Sequence, residues 1–240
     1  MIFKNLFRRK GRTILTLVGI SIGVASIVAL GAMAEGMRAG YSAVTEGSQA
    51  DLVLFPKNAM DITLGGVEET VAEQVLAWPE VADVDGMLMG NVQAEDAPYF
   101  FIFGYDPQGF AIAHFRIVEG QGLTEAHNVR GRPLILGQSA AQSMGKSVGD
   151  MFRVTGGTFR IVGIYETGDA FEEGGAVISL QDAQNLLLQP RRASMFYIRL
   201  RDSSDEGRLR MRMERHFSDL TLSTTSDFAD RQMMIEVLEG

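Results

Sequence analysis

The hydrophobic pattern divides the chain in two. From Thr13 to Ala34 no charged residue interrupts 22 successive positions, about 33 Å of α-helix at 1.5 Å per residue, which is enough to cross the hydrocarbon core of a bilayer. Glu35 to about Ser48 keeps a helix-compatible composition and reads as a stalk continuing the span. Beyond it the period changes. Asp51-Leu52-Val53-Leu54-Phe55 is a short apolar run closed by Pro56, and Gly65-Gly66 breaks the chain before a new element. Val67, Val71, Val75 and Trp78 then recur at three- and four-residue spacing, predicting a helix from near Val67 that ends at Trp78-Pro79. Val81 to Gln93 and Tyr99 to Tyr105 read as strands joined by the polar turn Glu95-Asp96-Ala97-Pro98.

A similar texture returns late in the chain, with a strand at Ser194 to Leu200, a helix from Ser204 to Phe217 and a short strand at Leu220 to Thr224. Between the two blocks the chain is glycine-rich. Strands are predicted at Pro133-Leu136, Met151-Val154, Thr158-Tyr165 and Ala176-Ile178, with helices near Ser139-Met144 and Leu180-Leu188. The expected fold class is α+β: one N-terminal transmembrane helix, then an extracytoplasmic α/β subdomain split as strand-helix-strand-strand and strand-helix-strand around a β-rich insert. The expected boundaries are a basic interfacial segment at 1–12, the span at 13–34, the stalk at 35–49, the α/β subdomain at 50–106 and 191–226, the insert at 107–190, and at 227–240 an approach helix to a second span that the chain does not reach.

Charge orients this arrangement. Lys4, Arg8, Arg9, Lys10 and Arg12 precede the span with no acid among the first 12 residues, while the rest of the chain carries 17 cations against 30 acids. The positive-inside rule places such an N-terminus in the cytoplasm and the bulk of the chain outside the cell (inner) membrane. Ile2, Phe3, Leu6 and Phe7 share one helical side among these cations, as in an interfacial helix. Ala32-Met33-Ala34 has the small-x-small form of a signal-peptidase site, but a signal peptide's apolar core is only about 7 to 15 residues long. Within the span, Gly19 and Gly23 form G-x-x-x-G, and Ser21, Ala25 and Ala29 make a second ridge of small residues, so Gly19, Gly23, Ala25 and Ala29 are the candidate helix-packing positions.

Composition narrows the chemistry. A net charge of −8 without a second basic cluster argues against nucleic acid as a partner; Arg208, Arg210, Arg212 and Arg215 alternate with Glu206 and Glu214 and read as a solvated helix face. With no cysteine, a disulfide framework, a thiolate metal site and a cysteine nucleophile are all excluded. His114, His127 and His216 stand at no ligand spacing and read as surface or structural residues. Gly145-Lys146-Ser147 ends like a phosphate-binding loop, but position 140 is Ala140 where that loop needs glycine, and a turn into a strand follows instead of a helix. The acidic stretch Glu166 to Gly175 lacks the alternating ligands of an EF-hand and reads as a solvated loop. No G-x-S-x-G elbow is present. The expectation is a non-enzymatic protein without cofactor or metal.

The order of elements resembles the MacB-type and FtsX-type permeases of ABC transporters, a group that includes lipoprotein-releasing subunits. The likeness rests on Asn5-Leu6-Phe7-Arg8-Arg9-Lys10-Gly11-Arg12-Thr13 leading into a glycine-rich span. It rests also on the block from Pro133-Leu134-Ile135-Leu136-Gly137 through Gly149-Asp150 to Phe159-Arg160-Ile161-Val162-Gly163. The resemblance implies two periplasmic subdomains on helical stalks, and as partners a cytoplasmic ABC ATPase, a second copy or related permease, and the lipid bilayer. It implies that the ATPase moves the outer domain to extrude or release a substrate. Family members usually have four spans, and this chain stops where a second would begin, as a fragment of a longer protein would. The alternative is a single-span anchored binding or sensor domain.

Overall fold

The computed structural model describes residues 10–46, 48–57, 66–95 and 97–224. Helix α1 (Lys10–Glu46) is continuous over 37 residues. Its stretch Ile14–Ala32 is long and apolar enough to cross a membrane, and none of it is buried within the chain. The polar Ser26 donates its hydroxyl back to Ile22 O at 2.9 Å, which satisfies it without a partner outside the helix. The chain forms two compact units that divide between Arg38 and Ala39.

The second unit is built on strands β1 (Leu52–Pro56), β2 (Val67–Glu68), β3 (Val81–Ala94), β4 (Ala97–Tyr105), β5 (Arg116–Gly120), β6 (Pro133–Gly137), β7 (Met151–Val154), β8 (Gly157–Glu166), β9 (Ala176–Ser179), β10 (Arg192–Ala193), β11 (Met195–Leu200) and β12 (Leu220–Thr224). Helices α2 (Glu69–Leu76), α3 (Gln138–Met144), α4 (Ala170–Glu173), α5 (Leu180–Leu186) and α6 (Glu206–His216) lie between them, with 3-10 turns at Ala111–His114, Glu125–Asn128 and Ser203–Asp205. Ten strands make one sheet in the order β12-β1-β11-β3-β4-β9-β6-β8-β5, with β7 bridging β3 and β8; β2 and β10 form a separate ladder. The pairs β4–β9 and β6–β8 are parallel and the others antiparallel.

Strand alternation distributes the core over both faces of this sheet. Met87 and Met89 of β3, Phe103 and Tyr105 of β4, and Met195 and Tyr197 of β11 enter one cluster that runs on to Ile135 and Val162. On the opposite face Leu52, Leu54, Phe196 and Ile198 meet Val75 of α2 and Leu209 and Met213 of α6, whereas Leu88, Ile102, Leu134 and Leu136 meet Ala140 of α3 and Ala183 of α5. The strands from 50–106 and 191–226 thus occupy one side of the sheet and those from 107–190 the other. They meet at the parallel β4–β9 pair and, through Ala94 and Val154, at the antiparallel β3–β7 pair, and one core runs beneath both.

The structure departs from the pattern-based reading at identifiable points. The helix expected from Val67 begins at Glu69, because Val67 and Glu68 pair with Ala193 and Arg192. The helix expected from Ser204 opens as a 3-10 turn, and the one expected to reach Leu188 stops at Leu186. Strand β5, the 3-10 turns at 111–114 and 125–128, and α4 were not legible. The first lies at the sheet's edge, is largely exposed and is broken by a bulge between Ile117 and Glu119, so it carries no alternating signature. The interfacial segment with Lys4, Arg8 and Arg9, and the approach helix at 227–240, lie outside the described residues.

Candidate functional site

Two features of the chain can do work: the surface of α1 and the seam of the sheet. Lys10 and Arg12 open α1. A methyl group added at Gly19 or Gly23 would meet nothing within 4 Å, and Ala25 and Ala29 are exposed. Among the described residues no contact accounts for small residues at these positions. At 100° per residue the Gly19/Gly23 ridge and the Ser21/Ala25/Ala29 ridge lie about 140° apart around the helix, so the two present separate faces.

At the seam, the segment after β4 is tied down by Asp85 of β3, whose Oδ2 accepts from Ala111 N at 2.8 Å. Gly109 abuts the same carboxylate so closely that a β-carbon there would stand 2.3 Å from it. Burial pushes the Asp85 carboxyl above its ordinary value; the bond from Ala111 opposes this, and the neighbouring Asp83 and Asp106 add to it. Beyond, the chain folds over an open groove of about 630 Å³ with Ile112, Phe115, Ile117 and Ile135 in its lining and Gln121 and Glu125 among its polar residues. That volume suits a small ligand or a peptide side chain.

The acidic stretch expected to be a solvated loop is instead an ordered turn. Asp169 caps α4 by accepting from Phe171 N at 2.9 Å and Glu172 N at 3.1 Å. Glu173 accepts from Thr167 N at 3.1 Å, from Gly168 N at 2.8 Å and from the Ser139 hydroxyl at 3.2 Å. Glu172 is driven inward until it is 1% exposed. There its Oε1 lies 3.0 Å from His114 Nε2, while His114 Nδ1 lies 2.7 Å from Ala111 O. Tyr165 donates to Glu172 O at 2.5 Å, and the rings of Tyr105 and Tyr197 stack nearby, their centroids 6.4 Å apart. Burial, before any other cause, raises the phenol pKa of Tyr105, Tyr165 and Tyr197, with Glu172 contributing to each. His114 thus has the structural role expected of it, but its partner lies 58 residues away, and only a lone apolar-flanked histidine and an interrupted acidic run hinted at the pair.

The other sequence leads resolve into structural roles. Gly145-Lys146-Ser147 follows α3, where Gly145 adopts a left-handed conformation at the helix C-terminus, so the segment lies at the wrong end of a helix for phosphate. Lys146 pairs with Glu95 at 3.5 Å. On α6, Arg210 binds Glu206 and the Leu222 carbonyl, Arg212 reaches the buried Glu80 at 2.9 Å, and Arg208 pairs with Asp205. This helix face is a set of ion pairs more than a solvated array. Among the described residues no three His, Asp or Glu side chains converge as metal ligands would.

Residues 13–216 match the MacB-like periplasmic core domain. The chain is 26% identical over 191 residues to the uncharacterized ABC transporter permease YvrN of Bacillus subtilis, covering 68% of this chain and 45% of that protein. It is 25% identical over 196 residues to the macrolide export ATP-binding/permease protein MacB of Nitrosomonas europaea, covering 76% of this chain and 28% of that one. It therefore spans less than half the length of either relative. In fold it is similar to the periplasmic region of MacB from Actinobacillus actinomycetemcomitans, with a TM-score of 0.57 at 12% identity, covering 78% of this chain and 94% of that structure. The extracellular domain of the ABC-type transporter YknZ from Gram-positive bacteria gives a TM-score of 0.54 at 12% identity, covering 73% and 99%.

Proposed function

Since the chain belongs to the MacB-like periplasmic core domain family, we propose that it is the N-terminal membrane anchor and outer domain of an ABC-transporter permease subunit, non-catalytic in itself. The observation that carries this reading is the union, in one chain, of an unburied apolar helix at Ile14–Ala32 and the sheet-rich domain that follows it. The N-terminus with Lys4, Arg8, Arg9, Lys10 and Arg12 faces the cytoplasm, where a separate ATPase dimer binds and hydrolyses ATP. Its closure is transmitted along α1 to the outer domain, which expels or releases a substrate on the far side. Gly19, Gly23, Ala25 and Ala29 let α1 approach neighbouring helices of the same permease or of a second copy. Residues 107–190 act as an inserted subdomain on the α/β frame of 50–106 and 191–226.

The test is affinity purification of the natural gene product from its native membranes in mild detergent, with bound proteins identified by mass spectrometry. A stoichiometric ATPase bearing a phosphate-binding loop is the expected result. Recovery of the intact protein without any ATPase overturns the reading and favours an anchored binding or sensor domain.

A further inference from the structure

We propose that β5 is a docking edge for an extended, basic segment of a partner polypeptide, which adds to the sheet as a further strand. Strand β5 ends the path of the ten-stranded sheet and pairs with β8 alone. Its outward main-chain groups therefore have no second ladder among the described residues. Arg116, Val118, Glu119 and Gly120 are exposed and Ile117 is half-buried, so the edge is open to solvent. The strand holds no proline that would deter pairing.

A hollow lies on each face of this strand. On one face Ile117 and Gly120 border the groove of about 630 Å³ that Ile112, Phe115 and Ile135 also line. On the other, Val118 and Glu119 border a hollow of about 380 Å³ with Gln138 and Gln142 of α3 and Lys146. The two belong to opposite faces of the sheet, since Phe115 and Ile135 lie in one core cluster and the Ala141 and Ile164 that line the second hollow lie in another. The bulge between Ile117 and Glu119 is what brings Val118 and Glu119 to one side. A compact ligand fills one hollow or the other. A strand laid along β5 sends successive side chains to opposite faces and reaches both, its main chain bonding to the edge while the hollows select among side chains.

Charge identifies the occupant. Four charged residues stand on β5 or line the hollows: Arg116, Glu119, Glu125 and Lys146. Arg116 pairs with Glu166 at 2.6 Å and Lys146 with Glu95 at 3.5 Å. Glu125 in the first hollow and Glu119 in the second have no ion-pair partner among the described residues, so each hollow offers one free carboxylate. The partner segment thus carries lysine or arginine beside an aliphatic side chain for the apolar groove. The same carboxylates repel a second copy of this domain, because beyond residue 12 the chain holds 17 cations against 30 acids. The surface belongs to this domain and the proposal holds whether or not the chain works in transport.

The test uses the full chain in phosphatidylcholine nanodiscs and a labelled nonapeptide of three lysine–valine–lysine repeats, which shows both residue types on each face of a strand. Fluorescence anisotropy should give saturable binding of one peptide per chain, and amide hydrogen exchange should gain protection over 116–121. The double reversal Glu119→Lys with Glu125→Lys, at two exposed positions, should weaken binding about tenfold. Glu214→Lys with Asp219→Lys, equal in charge and away from β5, should leave it within about twofold. The lysine–threonine–lysine peptide, equally β-branched but without the second methyl, should bind about tenfold more weakly. Butylammonium, a cation and alkyl chain without a main chain, should not compete. Absence of binding at millimolar peptide, equal losses in the two double reversals, equal affinity for the threonine peptide, binding without protection over 116–121, or full competition by butylammonium overturns strand addition. So does protection of 116–121 that appears without peptide and rises with protein concentration, which would assign the edge to a second copy.

Discussion

Asp85 shows how one side chain sets the conformation of a distant segment and what it costs. Its carboxylate caps the 3-10 turn at 111–114 from a neighbouring strand, yet burial raises its pKa above the ordinary aspartate value of 3.8. Because the folded protein holds this proton more tightly than the unfolded chain, the contribution of Asp85 to stability is fully present below 3.8 and is lost as pH rises through the raised value, above which the buried charge is a constant penalty. Asp85→Asn keeps an acceptor for Ala111 N and removes the charge. Urea unfolding should find it within about 1 kcal/mol of the parent at pH 7 and without Asp85's share of the acid-range dependence. Asp85→Leu leaves the N–H unpaired and should cost about 1–3 kcal/mol. Gly137 illustrates a different constraint, since its backbone angles suit any residue. A β-carbon there would stand 2.2 Å from the Glu173 carbonyl oxygen and 2.7 Å from its Cα. Gly137→Ala should therefore displace α4 and destabilise the domain by roughly 1–3 kcal/mol, with exchange protection lost first over 166–175.

At the scale of elements, legibility tracked the period of burial. Strands β1, β3, β4, β8 and β11 showed in the sequence because they fill a core, continuously or in alternation. Strand β5 did not, since an exposed edge imposes no pattern on its side chains. The turn that buries Glu172 was concealed by composition. A run holding Glu166, Asp169, Glu172 and Glu173 has the average of a solvated loop, and only three-dimensional pairing with His114 makes one of the four an interior residue. Helix α1 presents the reverse case, in which the small-residue ridges were visible in the sequence and the described residues leave Gly19, Gly23, Ala25 and Ala29 uncovered. Replacing Gly19 and Gly23 by leucine should leave the thermal unfolding of the outer domain unchanged and weaken helix association in the bilayer, measured by crosslinking in native membranes. The same change at Ala25 and Ala29 tests the other face independently, and equal effects would mean that α1 is packed on both sides.

For the whole molecule the decisive asymmetry is electrostatic. All five charges before the span are positive, whereas the remainder is strongly acidic. A segment carrying that many cations resists translocation, and the acidic domain has no comparable bias, so the field across the membrane and the loop rule act in the same direction. The absence of cysteine makes this directly measurable, since a single introduced thiol is the only site a maleimide can label. Ser203 is exposed at the start of the 3-10 turn before α6, and Ser203→Cys should react with a membrane-impermeant maleimide in sealed right-side-out vesicles. Asn5→Cys, within the basic segment, should react only after the vesicles are opened. Exchanging Lys4, Arg8, Arg9, Lys10 and Arg12 for glutamine removes the bias and should produce a mixed population in which part of the Ser203→Cys signal becomes protected. If Ser203→Cys is protected in the parent, the helix crosses in the opposite sense and an outer location for the domain fails with it. If the glutamine exchange changes nothing, orientation is set by the folding of residues 39–240 and not by the cations.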